Sequence, residues 1–123
     1  MAETDRLLEQ LIKRVNKTGT PIDVTVTVNG AVVTGKLVPR SQWLEANIEQ
    51  LNGAESEYAP FVDDFALEGG IVDHEEYLHL HPARLVHSLE IIPRKGAAFR
   101  TRTSDVQAWM LGRLQRDDDG PEA

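Results

Sequence analysis

The chain contains no cysteine, so disulfides and thiol chemistry are excluded. This fits a reducing compartment. No apolar run approaches the roughly 20 residues that span a bilayer. The opening residues, MAETDRLLEQ, are charged and lack the apolar core of a secretory signal. These absences predict a soluble protein of the cytoplasm. Catalytic signatures are missing too: there is no P-loop, no G-x-G-x-x-G and no G-x-S-x-G. Ser41, Ser56, Ser88 and Ser104 have no His and Asp arranged around them by motif. Neither catalysis nor a cofactor is expected. Positive charge is absent from one long stretch, with no Lys or Arg between Arg40 and Arg84.

What is present is patterned. The 123 residues suggest one domain, here 1–116, and the 41% hydrophobic content is enough for one modest core. Residues 117–123, DDDGPEA, offer no apolar residue to bury and are expected to form a disordered acidic tail. Ile22, Val24, Val26 and Val28 alternate with Asp23, Thr25 and Thr27, the period of a strand with one buried face. Asn29-Gly30 follows, a dipeptide suited to a tight hairpin in which both residues take positive φ. Ala31 to Val38 then returns, and Gly35 inside it marks a bulge or sharp bend.

Before this hairpin, Leu7, Leu8, Leu11, Ile12 and Val15 form one helical stripe, with Thr4 placed to cap it. After it, Pro39 ends the strand and Ser41 can cap a new helix. Leu44, Ile48 and Leu51 share helical spacing. A second set, Tyr58, Phe61, Val62, Phe65 and Ala66, does so as well. Residues 41–68 therefore read as a pair of helices with an acidic outer face. Glu76 to His81 alternates again, and Pro82 breaks the run. Ala83 to Ile92 resumes it, Pro93 to Gly96 forms a turn or loop, and Ala98–Thr103 and Val106–Leu114 close the chain. The expected fold class is α+β: an N-terminal helix on a small, bent, five-stranded antiparallel barrel, with a helical insertion after the first hairpin. The strands around Ala83–Ile92 and Ala98–Thr103 are the expected edges.

Charge is divided along the chain. The net charge of −7 argues against nucleic acid, whose binders need basic surface. Glu45, Glu49, Glu57, Asp63 and Asp64 lie in the cation-free stretch, whereas Arg84, Arg94, Lys95, Arg100 and Arg102 follow it. Two solvated surfaces of opposite sign would account for this. The functional alternative is docking between complementary patches, with Arg100 and Arg102 meeting Glu49 and Glu57. A homo-oligomer is the expected product. His79 and His81 would share one face of a strand, beside His74 and Asp73, and are candidate metal ligands. Two imidazoles make only half a site, and exposed or structurally bonded histidines account for them as well. Asp63-Asp64 reads as a solvated pair, and Trp43 and Trp109 read as core residues.

Two resemblances follow from these residues. Gly30, Gly35 and Leu37 resemble the first motif of Sm-like barrels, and Arg102 and Val106 fit parts of the second. Thr103 stands where that second motif has Gly. Ser41 and Glu45 stand where the family has its RNA-contacting Asp and Asn. The resemblance implies a barrel and an alternative function as an RNA-binding ring. The second resemblance is more extensive. LLEQLIKRVNKTGTPIDVTVTVNGAVVTGKLVPRSQWLE, EYLHLHPARLV and Val106-Gln107-Ala108-Trp109-Met110-Leu111-Gly112 resemble bacterial gas vesicle accessory proteins of the U type. It implies a non-catalytic cytoplasmic accessory protein, associated with gas vesicles and active in their assembly or clustering. Its implied partners are vesicle shell or other accessory proteins.

Overall fold

A computed structural model describes residues 4–53, 56–70, 75–87 and 90–114. The expected acidic tail at 117–123, together with Asp73 and His74, lies outside these residues. Helix α1 spans Arg6–Thr18. Its cap is Asp5 rather than Thr4: one carboxylate oxygen accepts from Leu7 N at 2.8 Å and Leu8 N at 3.2 Å. This satisfies N–H groups that the first turn leaves without partners. The helix ends where Gly19 turns left-handed, with φ 77°.

Strands β1 (Ile22–Val28) and β2 (Ala31–Leu37) form the expected hairpin. Asn29 and Gly30 both take positive φ, 51° and 83°, as a two-residue turn between right-twisted strands requires. Helix α2 (Arg40–Asn52), a short 3-10 turn (Ser56–Tyr58) and helix α3 (Ala59–Glu68) form the insertion. Pro39, not Ser41, stands at the start of α2 and fixes the chain's entry without a side-chain cap. Strands β3 (Tyr77–His87), β4 (Glu90–Arg102) and, after a 3-10 turn, β5 (Val106–Leu111) complete the chain.

The antiparallel sheet runs β4-β3-β2-β1-β5. It is open among the described residues, with β4 and β5 as its two edges, so the expected barrel closure is absent. The segment Ala83–His87 is not an edge, because it lies in β3 between β2 and β4. Pro82 does not break β3, nor does 93–96 break β4. Register slips between Leu80 and Ala83 let the strand pass through a residue that has no N–H to donate. Leu85 pairs with Ile92 and Ala83 with Ala97, so Pro93 to Gly96 bow out opposite Arg84 alone. Gly35 sits at a further register slip between β2 and β3, as a bulge predicts. A Cβ there would lie 2.3 Å from the Pro82 carbonyl oxygen, so only glycine lets the two backbones meet.

Both sides of the sheet centre are covered. On one side α1 contributes Leu8, Ile12 and Val15 to a core with Val24, Val26, Val33, Leu37, Leu78, Leu80 and Ala83. On the other, Trp43 and Leu44 of α2 pack with Val38, Phe65 and Ala98. Thr25, which alternation sets opposite the valine face, is buried as well, and so is its partner across the hairpin, Thr34. Thr25 donates its hydroxyl to the Gly112 carbonyl at 2.9 Å, which makes Thr34 the donor across the 2.9 Å hydroxyl pair. The Thr34 oxygen then accepts from Leu114 N at 2.8 Å. The chain's last described residues are thus bonded onto the hairpin, and each polar atom under them has a partner.

Candidate functional site

The densest cluster of charged and aromatic groups lies where α2 and α3 meet β3 and β4. Arg40 opens α2 and Glu68 ends α3, and Arg100 comes from β4. Arg40 Nη2 donates to the Glu68 carboxylate at 3.2 Å and also to its backbone oxygen. Arg100 Nη2 reaches the same carboxylate oxygen at 3.0 Å. Two guanidiniums therefore clamp one carboxylate and tie the end of α3 to the start of α2 and to the sheet. Burial pushes the Glu68 carboxyl up, but the Arg40 hydrogen bond and the Arg100 charge outweigh it, holding the group below its ordinary value.

Arg100 also stacks over Tyr77, 3.8 Å from the ring centroid, and approaches Trp43 at 5.5 Å. Below lies His79, 2% exposed, with its ring 4.9 Å from that of Trp43. Leu78 and Leu80 point into the core beneath α1, so alternation turns His79 to the opposite face, under α2. Burial, followed by the charges of Arg100 and Arg40, lowers its pKa to about 4. The imidazole is neutral at pH 7, and its buried Nε2 has no hydrogen-bond partner. The ring packs against Trp43 on one side and stands 6.5 Å from the Tyr77 ring on the other. The cluster holds the helical layer in place.

The other expected site residues are dispersed. His81 is exposed while His79 is buried, so the two do not converge as ligands. Among the described residues, no group of three or more His, Cys, Asp or Glu could hold a metal ion. Arg102 is exposed and lines a shallow polar cleft of about 250 Å³ with Glu9, Glu75, Glu76, Tyr77 and Ser104. Glu49 and Glu57 are exposed on the insertion. Of the proposed docking cations, Arg100 is the one already engaged internally. Ser41 and Glu45 are exposed in the first turns of α2. Asp63 and Asp64 are exposed on α3. Trp43 is buried, and Trp109 is half-buried against the α1 core. The indole of Trp109 donates to the second carboxylate oxygen of Asp5 at 3.1 Å, and this bond contributes most to holding that carboxyl below its ordinary value.

Sequence reasoning sets Lys13 four residues after Glu9 on α1 but gives no docking role to the exposed cations Lys13, Arg14 and Lys17. Their spacing against the stripe Leu8, Ile12 and Val15 was the available signal. The other late cation with a described ion pair, Arg113, is bound to Asp23 at 3.2 Å, and Lys36 shares that carboxylate at 3.1 Å. No helix among the described residues is long and apolar enough to cross a membrane.

Comparison with known proteins gives one result. A family profile described as Gas vesicle protein GvpU-like matches residues 5–114. No curated protein and no solved structure matches the chain. The family match runs from the cap of α1 to the residue bonded onto the hairpin, enclosing every described helix and strand. The chain belongs to the GvpU-like gas vesicle protein family.

Proposed function

We propose that this chain is a non-catalytic, cytoplasmic accessory protein of gas vesicles, acting in their assembly or clustering through protein–protein contacts. Its partners are vesicle shell proteins, other accessory proteins and further copies of itself. The observation that carries this reading is the family match across residues 5–114. The chemistry of the main cluster supports it. Arg40, Glu68 and Arg100 are joined by ion pairs, Arg100 stacks on Tyr77 and His79 packs against Trp43, in an arrangement suited to rigidity rather than to turnover. The exposed carboxylates Glu49 and Glu57 and the exposed Arg102 supply surface charge for docking.

The test is removal of the chain from a vesicle-forming cell. Electron microscopy then counts vesicles and measures how they are grouped. Loss of vesicles, or dispersal of clusters, reversed by restoring the chain, is the expected result. Unchanged number, size and grouping would contradict the proposal.

A further inference from the structure

The described charges sort by helical layer. Helix α1 buries Leu8, Ile12 and Val15 and turns Lys13, Arg14 and Lys17 outward. The α2–α3 layer turns Glu45, Glu49, Asp63 and Asp64 outward. The two layers cover opposite faces of β3, since Leu78 and Leu80 meet the α1 core while His79 meets Trp43 of α2. Among the described residues none of these seven charged side chains is in an ion pair. Each face also leaves a large apolar side chain in water. Leu7, 59% exposed, lies two turns before Arg14, and Leu67, 73% exposed, is three and four residues beyond Asp64 and Asp63. A basic face with an exposed leucine and an acidic face with an exposed leucine are thus carried by one molecule.

We propose that the basic face of α1 docks on the acidic α2–α3 face of a second copy. The occupant follows from charge complementarity, because the chain itself carries both halves. The contact joins unlike surfaces, so each added copy leaves one acidic and one basic face free. Association of this kind does not stop at two, but extends as a chain or closes as a ring. This inference rests on the proposed role in assembly or clustering and specifies the surfaces that link copies. It moves the cationic half of the contact from Arg100, which is held by Glu68 and Tyr77, to α1.

Charge reversal of each face tests it, with circular dichroism confirming that each variant keeps its helices and strands. Sedimentation velocity and light scattering are read at low and high salt. The parent is expected to grow beyond two copies as concentration rises, and to shrink with added salt. The variant Lys13→Glu, Arg14→Glu, Lys17→Glu should lose about tenfold or more in association. So should Glu49→Lys, Asp63→Lys, Asp64→Lys, although it is less negative than the parent and overall repulsion alone would make it associate more. The variant carrying both sets keeps the net charge of −7 and should regain association. A parent that stays monomeric, growth that stops at two copies, or a combined variant that fails to regain association would overturn the proposal. So would an acidic-face variant that associates more strongly than the parent. A vesicle arm separates the two claims. A parent that floats with purified vesicles yet does not self-associate overturns only the face pairing. A parent that self-associates through these faces yet stays below the vesicles upholds the pairing and removes its proposed role.

Discussion

His79 places a titratable group where charge is disfavoured. Burial first, then Arg100 and Arg40, lower its pKa from 6.5 to about 4. The unfolded chain therefore binds the proton more readily than the fold does. The stabilisation from keeping His79 neutral is fully present above about pH 6.5 and is lost as pH falls toward about 4. Stability across that window should fall by up to about 1.4 kcal/mol per pH unit. Urea unfolding at several pH values measures the slope, and His79→Leu should flatten it. An equal slope in both proteins would place the titration elsewhere. Gly35 is the second informative residue. A Cβ would meet the Pro82 carbonyl oxygen at 2.3 Å and Ala83 Cα at 2.9 Å, both backbone atoms with little freedom to move. Gly35→Ala should cost about 2–4 kcal/mol, high for a single substitution, and unchanged thermal unfolding would contradict the close approach. The sequence pointed to Gly35, because glycine inside a β-branched run has few other uses. It did not reveal the environment of His79, because alternation reports which residues share a face and not what covers the second face.

Trp43 has the corresponding role for the helical layer. It is buried against His79 and Phe65, whose ring lies 5.9 Å away, and Arg100 approaches its face. Trp43→Ala should cost about 3–5 kcal/mol, as large aromatic truncations do. Hydrogen exchange should accelerate first in α2 and α3, while α1 and the hairpin stay protected. Uniform acceleration throughout the chain would show that the layer is not a separate unit. Charge reversal at the two arginines should divide in the same way. Arg100→Glu sets a carboxylate beside Glu68 and removes the stacking on Tyr77, so it should lower stability. Arg102→Glu, at an exposed position, should leave thermal unfolding within about 0.5 kcal/mol of the parent. Equal losses for both would contradict the internal role of Arg100. The insertion was legible from helical spacing, and the hairpin from period two and Asn-Gly. The stripe on α3 was only half right: Phe65 packs inward, but Phe61 is 52% exposed. Proline and glycine punctuate the sequences of β3 and β4 and predict breaks in both, and a register slip that absorbs a proline leaves no mark in hydrophobic periodicity.

The described residues form an open sheet with a helical layer on each face, and the layers differ in charge. Segment by segment, the sequence placed the positive charge after Arg84. In the fold Arg100 and Arg113 are held by Glu68 and Asp23, and the described cations left in water include three on α1. Charge counted along a chain does not show which groups the fold pairs. The net charge of −7, with Ser41 and Glu45 at the Sm-like pocket positions, predicts no preference for uridine. Titration of labelled oligouridine at physiological salt checks this. Submicromolar, uridine-selective binding that survives added salt would favour an RNA-binding ring instead. The family was legible because its motifs lie towards both ends of the matched residues 5–114, in the hairpin and around Trp109. The proposed action on gas vesicles through protein contacts is open to direct measurement. Flotation tests it most directly: intact purified vesicles are mixed with the folded protein and allowed to rise through a density step. Co-flotation that saturates with protein and disappears when the vesicles are collapsed and removed is the predicted result. Protein that stays below the step at every concentration and salt, while the vesicles rise, would contradict the claim.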